Sequence, residues 1–112
     1  MKNQLKEKDI EKHLREKVKA AGGKAYKFIS PGNSGVPDRI VLLPPGVVIF
    51  VELKAPGKTS TTLQKKQQEF FKGVGCMALV IDSKQGVDEL IETYERAMLS
   101  EIHTARISKI LH

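Results

Sequence analysis

The stretch VPDRIVLLPPGVVIFVELKA, residues 36–55, decides the fold. Pro44, Pro45 and Gly46 make a turn between two runs of β-branched and large apolar residues, so the stretch reads as a hairpin of two antiparallel strands. The first strand opens at Asp38 and runs to Leu43; the second takes up residues 47–55. Val47 to Val51 is a nearly unbroken apolar run, as expected of a strand buried on both faces. That same strand then carries Glu52 and Lys54. Side chains two apart on a strand point the same way, so this pair shares one side while Val51 and Leu53 take the other. Counting back from the turn brings Asp38 near Glu52 across the hairpin. Two carboxylates and an ammonium are thereby expected at one spot, where burial without partners is costly.

Reading outward in both directions completes the domain. Leu5, Ile10, Leu14, Val18 and Ala21 recur near the helical period, which predicts an amphipathic helix over 4–21 that ends at Gly22 and Gly23. KAYKFIS, 24–30, is a short alternating stretch in which Ala25 and the pair Phe28 and Ile29 suggest a first strand, and the composition of 31–35 marks a loop. Downstream, the hydroxyl-rich loop 56–62 can cap a helix over 63–74, stopped by Gly75. Cys76 to Ile81 is a fourth strand, and 87–98 a closing helix with Asp88 and Glu89 in its first turn. The tail, 99–112, fits either a continued helix or a short returning strand. The predicted class is α/β: a mixed central sheet flanked by helices in the order α-β-β-β-α-β-α, as one domain over 1–112.

Composition limits the classes of function. With 40% apolar and 29% charged residues the chain is globular rather than disordered. The N-terminus is charged throughout and no apolar run approaches the length of a membrane span, which leads us to expect a cytoplasmic protein, neither secreted nor membrane-bound. A single cysteine, Cys76, fits a reducing compartment and a place in the core. His13, His103 and His112 lack metal-ligand spacing. The formal charge of +6 favours polyanions.

Oxygen ligands such as Asp38 and Glu52 suit a hard cation, Mg²⁺ or Mn²⁺, and Lys54 beside them suits a developing negative charge on phosphate. Taken alone, Glu52 and Lys54 also fit a plain ion pair on an exposed edge strand. The wider pattern decides between the two. Val36, Pro37 and Asp38, followed after thirteen residues by Glu52, Leu53 and Lys54, resemble the PD-(D/E)XK nuclease signature. GGKAYKFISPGNSGVPDRIVLL, VVIFVELKAPGKTSTTLQ and the later VIDS look like the VRR-Nuc branch of that superfamily, in stand-alone, phage-type form, over roughly residues 7–95.

The resemblance implies a restriction-endonuclease-like core and a catalytic set of Asp38, Glu52, Lys54, Gln64 and an acid on the first helix. Glu11 is the first candidate for that acid and Glu7 the reserve. Asp38, Glu52 and the backbone carbonyl of Leu53 are the implied metal ligands. Arg39, Lys58 and Lys65 are the candidate DNA contacts, and Lys66 and Lys72 stand nearby. Phe70 and Phe71 are expected in the core. The implied activity is Mg²⁺- or Mn²⁺-dependent cleavage of DNA, selective for branched substrates such as four-way (Holliday) junctions and carried out by a homodimer. A silent nucleic-acid-binding module, or a nicking partner in a phage DNA-processing complex, are the alternatives.

Overall fold

The computed structural model describes residues 5–111, with side chains as far as Glu101. Its elements are α1 (Glu7–Ala20), β1 (Lys24–Lys27), β2 (Arg39–Leu43), β3 (Val47–Leu53), α2 (Thr62–Gly73), β4 (Met77–Ile81) and α3 (Lys84–Leu111). The strands form one sheet in the order β1-β2-β3-β4. The first two pairings are antiparallel, and β3 and β4 run parallel. This is the α-β-β-β-α-β-α order expected from the sequence.

One face of the sheet holds the core. Ile10, Leu14 and Val18, four apart on α1, are fully buried against Val41, Leu43, Ile49, Val51 and Leu53, with Val87 and Ile91 of α3 closing the cluster. The other face is thinly covered, because α2 has no fully buried residue. There Phe71 meets Phe50 with ring centroids 4.6 Å apart, and Phe28 approaches both. Phe70 is 64% exposed, so only one of the two neighbouring phenylalanines packs inward. Val48 is likewise 42% exposed; β3 is enclosed on both faces only from about Phe50 onward. Cys76 is half-buried just ahead of β4 and outside the core cluster.

Strand β3 ends at Leu53, so Lys54 stands just past it, and three other boundaries shift further for local reasons. Helix α1 starts at Glu7, later than expected, because the Asp9 carboxylate accepts the Lys6 amide at 2.8 Å and caps the helix there. Strand β1 stops at Lys27, since Ile29, at 69% exposure, has already left the sheet. Helix α3 starts at Lys84 because the Ser83 hydroxyl accepts the Gly86 amide at 2.9 Å. Asp88 therefore falls beyond the first turn, where it accepts from His13 at 2.7 Å and ties α3 to α1. The helix continues without a break to Leu111, so the tail does not return as a strand. His112 and the side chain of His103 lie outside the described residues.

Candidate active site

The hairpin register carries Asp38 to its place. Arg39 pairs with Val51, so one step further along puts Asp38 opposite Glu52. Asp38 Oδ2 accepts the Leu53 amide at 2.8 Å, which fixes its carboxylate at the end of the ladder. The next amide, Lys54, donates to Ile81 of β4. A trans peptide points its carbonyl opposite to its N–H, so the Leu53 carbonyl faces away from β4, toward the flank on which Asp38 stands.

Glu52 lies on the α2 face of β3 and is fully buried, the one buried charged residue among those described. Its Oε2 accepts from Ser60 Oγ at 2.6 Å and from Gln68 Nε2 at 2.9 Å. Its Oε1 is buried with no partner. A carboxylate oxygen taken from water and left bare is expensive, and such an atom calls for an explanation. A hard cation is a fitting one.

The helix acids separate by their partners. Glu11 Oε1 accepts from Arg39 at 2.6 Å and from Arg15 at 3.0 Å. Arg39 also donates to the Ala25 carbonyl and is only 14% exposed, so it is held inside the protein. Glu7, one turn earlier, lies within the field of Asp38, Lys54, Glu11 and Glu52. Glu7 is exposed, yet desolvation on its protein-facing side, and then the neighbouring carboxylates led by Asp38, push its carboxyl above the usual range, with the Lys54 ammonium pulling the other way. Glu7, Asp38, Glu52 and Lys54 thus form one electrostatic cluster. Among the described residues no three His, Cys, Asp or Glu side chains converge closely enough to cage an ion unaided. The donor set instead suits a cation that keeps several waters beside one or two carboxylates.

The resemblance places Gln64 at the site, and the structure puts its side chain in a helix cap. Gln64 closes the capping box of α2: its Oε1 accepts the Thr61 amide while Thr61 Oγ1 accepts the Gln64 amide. It is Gln68, one turn on, that reaches Glu52. Ser60, read as one of several capping hydroxyls, turns to Glu52 as well, leaving Thr61 as the cap. The fourfold spacing of the glutamines was the available signal for Gln68; for Ser60 there was none. The loop before Asp38 seats on α2. Gly35 has φ +84° and sits so close to the α2 backbone that a Cβ would meet the Leu63 carbonyl carbon at 2.8 Å. Lys58, Lys65, Lys66 and Lys72 are all exposed.

No protein-family model matches the chain. A phage protein named "Putative nuclease p44", from Acyrthosiphon pisum secondary endosymbiont phage 1, is 49% identical over 80 residues, covering 71% of this chain and 86% of its own length. A solved structure described as a VRR_NUC domain superposes with a TM-score of 0.74 at 37% identity, over 79% of this chain and 96% of that one. The chain belongs to the VRR-Nuc family of nucleases. In this VRR-Nuc chain the fold brings the hairpin acids and Lys54 to one end of the sheet, between the start of α1 and the first turns of α2. No helix among the described residues is long and apolar enough to cross a membrane.

Proposed function

We propose that this VRR-Nuc nuclease is a Mg²⁺- or Mn²⁺-dependent DNA endonuclease selective for branched DNA such as four-way junctions. The observation that carries the metal dependence is the bare, buried Oε1 of Glu52 beside Asp38. Asp38, Glu52 and the Leu53 carbonyl hold the cation, and Glu7, rather than the ion-paired Glu11, completes the acidic set. When bound there, the cation would supply a Lewis acid for the phosphodiester and would lower the pKa of water. Lys54 places its positive charge beside the scissile phosphate and stabilises the charge that develops there. Lys58 and Lys65 hold the flanking backbone, while Arg39 braces α1 against β2.

Coordinated cleavage of two strands calls for two sites, which a symmetric homodimer provides. The outer edge of β4 supports such an assembly. The strand MALVI carries no charge and exposes Met77, Leu79 and Val80 by 40–52%, whereas the opposite edge strand, KAYK, is guarded by a lysine at each end. The phage relative is in keeping with a phage-type enzyme.

The test is cleavage of labelled four-way junction, duplex and single-stranded DNA with Mg²⁺ or Mn²⁺, by the wild type and by Lys54→Ala. Junction cleavage that drops by roughly 10²-fold or more in the variant is expected, the scale of losing one charge stabiliser in a transition state. Junction binding without cleavage under either metal refutes the catalytic reading in favour of a binding module. Nicking of supercoiled plasmid without junction cleavage refutes the preference for branches.

A further inference from the structure

The two oxygens of Glu52 are treated differently by this fold. A carboxylate at the end of a side chain turns in a broad, roughly two-fold well, so an unrestrained glutamate offers either oxygen, or both. In this chain Oε2 takes two donors, Ser60 Oγ at 2.6 Å and Gln68 Nε2 at 2.9 Å, and Gln68 Nε2 also lies 3.1 Å from Ser60 Oγ. The three groups form a tight triangle: the serine hydroxyl donates a hydrogen bond to the carboxylate, and its oxygen accepts one from the amide. Ser60 Oγ and Glu52 Oε2 stand close enough together for the amide to point between them. The effect of the two donors on Glu52 is to occupy one oxygen and leave Oε1, buried, with lone pairs that no protein donor meets.

The donors arrive from two places that the rest of the fold fixes. Ser60 stands in the loop directly ahead of the α2 cap, and Gln68 lies one turn beyond Gln64, whose side chain is held in that cap. The capping box therefore fixes where α2 begins, four residues before Gln68 on the same helix face.

We propose that Ser60 and Gln68 are positioning residues that clamp Glu52 by its Oε2 and so present Oε1 to the divalent cation that the site would hold. This rests on the metal-dependent reading above. If the two donors served only to offset the burial of a carboxylate, removing them would lower stability and leave ion affinity as it was. A positioning role predicts the reverse emphasis, because the partners of a metal-binding carboxylate typically govern affinity by about 10–100-fold.

The experiment is Mn²⁺ binding to the full chain, followed by calorimetry and by the electron paramagnetic resonance of the free ion. Wild type, Glu52→Gln, Ser60→Ala, Ser60→Thr and Gln68→Met are compared, with far-UV circular dichroism confirming that each variant folds without metal. Expected are binding by the wild type, its loss in Glu52→Gln, and a dissociation constant raised by about 10-fold or more in Ser60→Ala and Gln68→Met. Ser60→Thr, which keeps the hydroxyl, should stay within about threefold of wild type, inside the loss expected for a missing partner. Should Gln68→Met fail to fold, the smaller Ser60→Ala change and its threonine rescue decide the matter. Wild-type affinity in folded Ser60→Ala, alongside loss in Glu52→Gln, overturns the clamp and leaves the metal site standing. Absence of Mn²⁺ binding by the wild type, or its survival in Glu52→Gln, overturns the metal reading and the clamp together.

Discussion

Glu7 shows how one residue can report on a site. Its carboxyl is held above the ordinary range by desolvation and by Asp38, Glu11 and Glu52, against the pull of Lys54, and because the side chain is exposed, solvent screening keeps the effect small. The folded-state value lies above the unfolded one, so between the two values the native state keeps a proton that the unfolded chain has lost. Stability consequently falls as pH rises through that window, and the ionised Glu7 is a net cost above it. Glu7→Gln should therefore melt at a higher temperature than wild type at neutral pH without metal. The gap should close below about pH 4, where carboxyls are protonated in both states. Added Mn²⁺ should reverse the order, stabilising the wild type more than the variant, since a ligand stabilises whichever state binds it. Thermal unfolding at two pH values, with and without the ion, checks all three statements.

At the scale of elements, the site depends on how the loop before β2 seats on α2. Gly35 takes a left-handed φ and approaches the backbone of Leu63 and Gln64, while Gln67 Nε2 donates to the Ser34 carbonyl at 3.3 Å. Gly35→Ala introduces a methyl group where backbone already stands, in a conformation that L-residues avoid. A loss of about 1–3 kcal/mol is expected, the usual cost of a strained backbone residue, read as a lower urea midpoint. Cleavage should fall as well, because displacing the loop displaces Asp38, three residues downstream. The hydroxyl of Tyr94 donates to the Pro44 carbonyl, tying α3 to the hairpin turn at the opposite end of the same strands. The hairpin is thus anchored at both ends by helices distant in sequence.

At the scale of the whole molecule, the two edges of the sheet and the surplus of positive charge each carry an expectation. Leu79→Lys places a charge on the apolar β4 edge, at a side chain that shares the face of Val51 but is 40% exposed. In the proposed dimer it should shift the species seen by analytical ultracentrifugation from dimer to monomer, and leave the circular dichroism spectrum unchanged. An unaltered dimer would move the interface elsewhere. For the exposed lysines, Lys58→Ala with Lys65→Ala should weaken junction and duplex binding alike. The slope of log affinity against log salt should shrink by about 0.9 for each phosphate that the variant no longer neutralises. A slope that does not change would take both lysines off the DNA.

The sequence by itself determined the hairpin, the order of elements and the place of Asp38 opposite Glu52. Each follows from short-range rules: a turn of known chemistry, a two-residue alternation, and a register counted from that turn. The apolar stripe Ile10, Leu14 and Val18 was legible for the same reason, being a repeat within one helix. Only the tertiary structure decided which helix residues meet the strand. Glu7 and Glu11, like Gln64 and Gln68, stand four apart on one helix face, so periodicity treats the members of each pair alike. They differ by about 6 Å along the axis, and that offset is set by the caps and by packing between elements far apart in the chain. The same holds for Arg39, drawn inward by Glu11 across 28 residues, and for Val48 and Phe70, whose exposure depends on how far α2 reaches over the sheet. Pattern in a sequence assigns a face; contact between elements assigns the atom.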